Sequence, residues 1–248
     1  MIIFGMVHLI LLNDWGGLKR NPLELNRYNL DKKKHSLLEK EIFFAAFVAV
    51  IVAFLSGLCL YPPDILPGLI FLGSLGLLFS LFYSHPVFHW KERLWGAKLL
   101  HFLGGIVQFL LGYFVFGSSP KQGIIMGIFF SLIFTAGHFI HECLDEKEDR
   151  ENHIKTWVVQ KSMTSALRGA YLLFFFTHIY LLVLTLFHIV PLGMLLIFSL
   201  PLIGHIVLLQ KNSNFTNWTY GHIKNFQKIY RMSYGISSCV YICFMVLR

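Results

Sequence analysis

The chain has 248 residues, of which 56% are hydrophobic and only 14% are charged, and its formal net charge is +8 at pH 7. Because a soluble domain carries about 25% charged residues, this composition excludes an ordinary soluble domain and indicates an integral membrane protein. The positive charge does not call for nucleic acid as a partner, since it lies in the connections between apolar segments, where it would attract anionic membrane lipids.

Eight apolar segments predict an all-α fold, a multi-span transmembrane helical bundle that forms a single domain over residues 1–248. A helix needs about 20 apolar residues to cross a bilayer, and the first segment is short by that measure. The predicted spans are residues 1–14, 41–60, 66–83, 99–117, 122–141, 169–187, 191–209 and 232–247.

The connections between these spans alternate in charge. Of the 21 Lys and Arg residues, 19 lie in four segments that would all emerge on one side of the membrane, namely 18–40, 84–98, 142–168 and 210–231. Since positively charged loops are retained in the cytoplasm, the sequence predicts that these four segments are cytoplasmic.

The first span ends in the polar pair Asn13 and Asp14, followed by Trp15. Such a pair at the end of an apolar helix is unfavourable unless it faces a polar cavity or an ion. The alternative is an ordinary helix stop, because Asn, Gly16 and Gly17 all favour helix termination.

Two further stretches at the predicted cytoplasmic side carry basic residues. One is the cluster Lys32–Lys34, and the other runs from Tyr83 to Lys91 and contains Pro86. A lysine here can offer a cation to a phosphate group. Each stretch can also be a charged segment that only sets the topology.

The most polar stretch of the chain is Gly137–Val159, directly after an apolar run. Glu142, Asp145 and Asp149 are spaced i, i+3, i+7, which places them on one face of a helix, with His138 one turn earlier. Three carboxylates on one face repel each other unless a cation neutralises them, and oxygen ligands of this kind suit Mg²⁺. The alternative is a solvated helix end whose basic side chains pair with the acids.

These residues resemble known motifs. Asp145 and Asp149, followed by His153 and Thr156, resemble the second aspartate motif of the UbiA superfamily of intramembrane prenyltransferases, D-x-x-x-D-x-x-x-G-x-x-T, with His153 in place of Gly. Glu142 stands where many members carry a further acid.

The other two stretches occur in the family's order. Asn13 and Asp14 resemble the start of its first motif, N-D-x-x-D-x-x-x-D, although Gly17 and Asn21 replace two Asp residues. The segment from Tyr83 to Lys91 is similar to the family's Y-S-x-P-P-x-R-x-K, and its matching residues are Tyr83, Ser84, Pro86 and Lys91.

The resemblance implies Mg²⁺-dependent transfer of a prenyl group from a prenyl diphosphate to an aromatic or lipid acceptor, with the active site on the cytoplasmic side. It implies that the metal ligands are Asn13, Asp14, Glu142, Asp145 and Asp149. It implies that the residues for diphosphate binding are Asn13, Tyr83, Lys91 and Lys34, and that the catalytic residues are Asp14, Asp145, Asp149 and Lys91.

Two departures from the family pattern leave other functions open. The first motif has lost two acids, and the chain is expected to lack the family's first helix, because the motif already begins at Asn13. The alternatives are a UbiA-type membrane terpene cyclase and a non-catalytic or partner-dependent homologue.

Overall fold

The structure is a computed structural model that describes residues 2–20, 32–88, 90–116, 119–151, 153–211 and 215–246. All regular secondary structure in these ranges is helical, which confirms the predicted all-α fold. The α-helices are α1 (Ile2–Arg20), α2 (Lys32–Leu60), α3 (Leu66–Ser84), α4 (Leu94–Phe116), α5 (Pro120–Glu151), α6 (Trp157–Gln160), α7 (Met163–Leu186), α8 (Leu192–Lys211) and α9 (Tyr220–Val246).

Eight of these helices, all except the short α6, follow the eight predicted spans in order. Five stretches of the described residues are long and apolar enough to cross a membrane, and a sixth, Leu192–Ile206 in α8, is apolar but shorter. The five are Leu38–Leu60, Leu66–Ser84, Leu94–Val115, Pro120–Glu151 and Met163–Leu186. The chain is therefore a multi-span helical membrane protein.

Several helices extend beyond the apolar segments that predicted them. α2 already begins at Lys32, α5 continues to Glu151, and α9 begins at Tyr220. The polar segments that the sequence places outside the membrane are therefore helical in part, and over Glu142 to Asp149 this is the helix that the spacing of the acids predicted. Lys, Glu and Arg are good helix formers, so a helix that has started in the membrane continues through them.

Local sequence explains where the helices end. α3 ends at Ser84 because His85 precedes Pro86, and the residue before a proline is restricted to extended conformations; His85 has φ −69° and ψ 133°. α7 begins where the Ser162 hydroxyl accepts a hydrogen bond from the backbone N–H of Ser165 at 3.1 Å. It ends just before His188, which has a φ of 54° and closes the helix in the left-handed region.

The described residues group into two compact units. Unit one takes those within residues 1–131 and 151–155, and unit two takes those within 132–150 and 156–248. The long helix α5 contributes its first part to unit one and most of its second part to unit two. That residues 1–248 form a single domain stays a prediction.

Unit one is organised around α1, which packs on α2 and also contacts α3 and α4. The Nδ1–H of His8 donates to the carbonyl oxygen of Ala46 on α2 at 2.9 Å. A Cβ added to Gly16 of α1 would overlap the carbonyl oxygen of Ser84 at the end of α3, so only glycine permits this approach. α1 and α3 are therefore in direct backbone contact at the end of α3.

The remaining helices of unit one are joined by apolar and small residues. Leu72 of α3 and Val107 and Leu110 of α4 form a buried cluster. Gly105 of α4 lies against Ser131 of α5, whose hydroxyl donates to the carbonyl oxygen of Phe102.

Unit two has an aromatic core. Phe174 of α7 and Phe198 of α8 are completely buried, and Phe226 of α9 is nearly so. On α5, Phe139 contacts the Trp157 ring edge-on at 5.4 Å between centroids, and Gly137 lies against the hydroxyl of Tyr230 on α9. The second part of α5 is thereby fixed against α6 and α9 within this unit.

Candidate functional site

The acidic stripe lies on a continuous helix, because α5 runs without interruption from Pro120 to Glu151. Glu142, Asp145 and Asp149 therefore share a helix face, as their spacing predicted. Glu142 and Asp149 are each only 5% exposed, whereas the Asp145 side chain is 45% exposed. A solvated helix end would leave all three acids in water, so burial argues against that alternative.

Two histidines accompany the acids, each four residues earlier on the helix. His138 Nε2 lies 3.1 Å from Glu142 Oε1, and both side chains are buried. His141 Nδ1 lies 3.6 Å from Asp145 Oδ2 near the surface. Glu142 is thus already engaged with a histidine, while Asp145 is held more loosely.

Glu146, which lies between Asp145 and Asp149 in sequence, makes a different contact. Glu146 accepts a hydrogen bond from Arg150 at 2.8 Å, and the Arg150 side chain is well exposed. An exposed pair of this kind contributes little to stability. Glu146 is therefore a natural control for experiments on Asp145 and Asp149.

The structure explains why the motif has glycine after its two acids. His153 has a φ of 57°, in the left-handed region that glycine adopts without strain. The turn at His153 brings the chain to Thr156, which is buried and precedes the short helix α6. The motif thus ends in a tight turn, and the substitution by His is tolerated in that turn.

The first motif and the Tyr83–Lys91 stretch lie together in unit one. Trp15 packs on the ring of His85 at 5.6 Å between centroids, and Gly16 contacts Ser84. Asn13 is half-buried, and its Oδ1 has no hydrogen-bond partner among the described residues. Asp14 is exposed. Two stretches about 70 residues apart in sequence therefore form one polar region.

Residues at the end of α3 and beyond it complete this region. Tyr83 contacts the His101 ring at 5.1 Å between centroids, and Lys91 is half-buried in a 3₁₀ turn, Trp90–Glu92. Lys98, near the start of α4, is only 4% exposed. The sequence analysis counted Lys98 only as a topology signal.

Lys98 and His101 are the residues that sequence reasoning missed in unit one. They lie three positions apart at the start of an otherwise apolar helix, and this spacing puts them on one face. A buried lysine in a membrane helix is rare without a function or a partner. A lysine and a histidine on one face of an apolar helix is a pattern that the sequence alone shows.

For three residues of the predicted motifs, the structure describes only the backbone or nothing at all. Lys34 lies in the first turn of α2, but its side chain is not among those described. Gly17 lies in α1, and Asn21 falls outside the described residues. That Asn13 and Asp14 face one cavity with Glu142 to Asp149 stays a prediction.

The fold and these polar stretches define a class of protein: a helical membrane protein with acidic and basic side chains gathered near helix ends. The sequence matches the family model of the UbiA prenyltransferase family over residues 34–225. This is more than half of the chain, and the chain belongs to that family, which makes it a membrane protein of the prenyltransferase type. No curated protein and no solved structure matches it significantly.

The carboxylates of α5 can be compared with the ligands that the family's divalent metal prefers. Mg²⁺ takes oxygen ligands and usually binds through one or two carboxylates plus substrate phosphates, keeping several waters. Asp145 and Asp149, one turn apart, supply such a pair. Among the described residues no group of three or more His, Cys, Asp or Glu side chains could hold a metal ion by itself. Asp145 and Asp149 fit the one or two carboxylates that such a metal takes when a diphosphate supplies further oxygens.

Proposed function

We propose that the chain transfers a prenyl group from a prenyl diphosphate to an aromatic or lipid acceptor, in a Mg²⁺-dependent reaction on the cytoplasmic side of the membrane. The observation that supports this most is the acid pair Asp145 and Asp149 on α5, inside the family match, with Asp149 buried. Two carboxylates one helical turn apart match the one or two carboxylates through which Mg²⁺ usually binds beside substrate phosphates.

The proposed metal ligands are Asp145 and Asp149, with Glu142 beside them and Asn13 and Asp14 from the first motif. When bound, Mg²⁺ supplies positive charge to the diphosphate oxygens and so lowers the barrier to breaking the C–O bond.

The basic and polar side chains have a separate role in this proposal. Lys91 and Lys34 add donors to the phosphate oxygens, and Tyr83 adds a hydroxyl. The diphosphate leaves with the electron pair of the C–O bond, and the allylic cation remains on the prenyl group. The acceptor attacks the first carbon of this cation and loses a proton to the released diphosphate. The apolar residues of the spans keep water from the cation.

The direct test is pyrophosphate release in nanodiscs with geranyl, farnesyl and geranylgeranyl diphosphate and a panel of phenolic acceptors. Asp149→Asn and Asp145→Asn keep the side-chain shape and remove the charge. We expect each to lower the rate by about 100-fold or more, because ~3 kcal/mol of transition-state stabilisation is lost and each ~1.4 kcal/mol is tenfold. Glu146→Gln, one turn from Arg150 on the same helix, should leave the rate unchanged.

The weakened first motif gives a second test of the same mechanism. Water fills metal positions that the protein leaves open, so Gly17→Asp should lower the Mg²⁺ concentration needed for half-maximal rate. Wild-type activity in both Asp145→Asn and Asp149→Asn would refute the assignment. Pyrophosphate release without an acceptor, accompanied by a cyclic hydrocarbon product, would instead indicate the terpene cyclase.

A further inference from the structure

The connection between α3 and α4 carries Lys91, whose side chain is half-buried in the 3₁₀ turn Trp90–Glu92. Among the described residues, no acidic side chain forms an ion pair with its ammonium group. A lysine carries its charge on a flexible four-carbon stem, so an ammonium group without such a pair is not held by its own contacts. The backbone of the turn therefore decides where the Lys91 side chain can reach.

The turn is held through its first residue, Trp90. The indole ring stacks on Phe82 of α3, with 5.7 Å between the ring centroids and 23° between the ring planes. The Phe82 ring also meets Phe88 edge-on, with 4.8 Å between the centroids. Stacked and edge-to-face pairs at these separations are both favourable. Phe82 thus supports the connection at two points.

The other contacts of Trp90 come from the chain that follows it. The backbone N–H of Arg93 donates to the carbonyl oxygen of Trp90 at 3.1 Å, and the Arg93 guanidinium lies 5.9 Å from the indole centroid, within cation–π range. A Cβ added to Gly96 would come within 3.4 Å of the indole ring, so α4 packs closely on it. Trp90 is therefore held between α3 and the start of α4.

The same ring contacts reach the first motif. The ring of His85 lies 5.9 Å from that of Phe88 and 5.6 Å from that of Trp15, measured between centroids. Asp14 directly precedes Trp15 in sequence. Within unit one, ring contacts therefore form a continuous row from the residue after Asp14 to the residue before Lys91, in the order Trp15, His85, Phe88, Phe82 and Trp90.

We propose that Trp90 is a positioning residue, whose stack on Phe82 holds Lys91 where its ammonium group can donate to a phosphate oxygen of the prenyl diphosphate. The role of Lys91 toward the diphosphate rests on the proposed function. The pattern Y-S-x-P-P-x-R-x-K leaves the position of Trp90 unspecified, so the resemblance does not assign this role. Both rings form the stack, and loss of either one should release the turn.

The placement of residue 91 is measured first, without metal or substrate. Lys91→Cys is introduced into the full chain in nanodiscs, in a background without native cysteines, and its reaction with an impermeant maleimide is timed. Trp90→Leu and Phe82→Leu should each make this reaction several-fold faster, because a segment that opens locally is more accessible. Trp90→Phe keeps an aromatic ring on Phe82 and should leave the rate close to that of the parent.

Trp95→Leu is the matched control for these variants. Trp95 lies in the first turn of α4 and is 71% exposed, and the same change of side chain there should leave the labelling of residue 91 unchanged. Phe82→Leu removes the stack from the α3 side, so the test remains decisive even if Trp90→Leu does not fold. Equal labelling rates in the parent and in Phe82→Leu would overturn the proposal.

The transfer assay then tests the connection to the diphosphate. Trp90→Leu should lower kcat/KM for the prenyl diphosphate about tenfold, because a hydrogen bond to a charged group is lost, and leave the KM of the acceptor unchanged. Lys91→Met should have an effect of similar size. The double variant should be no worse than Lys91→Met alone, since Trp90 acts through Lys91.

Two outcomes separate this proposal from the proposed function. If the effects of Trp90→Leu and Lys91→Met on kcat/KM multiply, Trp90 acts independently of Lys91 and the positioning role is overturned. If no transfer occurs even in the wild type, while labelling of residue 91 still depends on Trp90 and Phe82, the stack holds the turn as described and the proposed function fails.

Discussion

The contact between Gly16 and Ser84 connects the first motif to the Tyr83–Lys91 stretch, and Gly16→Ala tests it. The new Cβ would overlap a backbone carbonyl oxygen, which cannot rotate away as a side chain would. α1 and α3 would have to separate, and the polar region that contains Asn13 would open. Gly5→Ala is the matched control, because it lies on the same helix and a Cβ there meets nothing within 4 Å.

The magnitude follows from two opposing effects. Alanine in a helix is more stable than glycine by about 1 kcal/mol, and both variants share this gain. Overpacking in a tightly packed contact costs about 1–3 kcal/mol, and only Gly16→Ala bears it. We therefore expect the free energy of unfolding of Gly16→Ala to lie about 1–3 kcal/mol below that of Gly5→Ala.

The assay is unfolding by sodium dodecyl sulfate from dodecyl maltoside micelles, followed by circular dichroism. In a background whose other four tryptophans are replaced by phenylalanine, fluorescence of Trp15 gives a local signal, because Trp15 is buried against Phe43 and His85 and would be exposed when the helices separate. If the two alanine variants have equal unfolding free energies, α1 and α3 are not in the described contact and the reasoning is refuted.

Three further predictions concern other parts of the molecule. Phe174→Ala should lower the unfolding free energy in the same titration by about 3–5 kcal/mol, and Phe175→Ala by far less, because Phe174 is completely buried and Phe175 is 53% exposed. His153→Gly should raise the unfolding free energy by up to about 1 kcal/mol, since a φ of 57° strains a residue that carries a side chain. A lower unfolding free energy would show that the imidazole makes a stabilising contact. In a background without native cysteines, Lys121→Cys and Lys161→Cys should react with an impermeant maleimide from opposite sides of the membrane, and labelling from the same side would contradict the span order.

The sequence by itself determined the helical elements and their order. Apolar runs of bilayer length marked the spans, Pro86 marked the end of α3, and the i, i+3, i+7 spacing of Glu142, Asp145 and Asp149 placed them on one helix face. These features are local: a hydrophobic run, a proline or a helical repeat acts over a few residues. They are readable in any stretch of chain without knowledge of its neighbours.

Only the tertiary structure decided which of these residues are buried and what they touch. Nothing in the spacing of the acids shows that Glu142 pairs with His138 while Asp145 remains half exposed. The close approach of Gly16 to Ser84 and the enclosure of His205 by rings from two other helices join residues far apart in sequence. Burial and contact depend on how whole helices pack, and many side chains determine that packing together, so no local pattern records it.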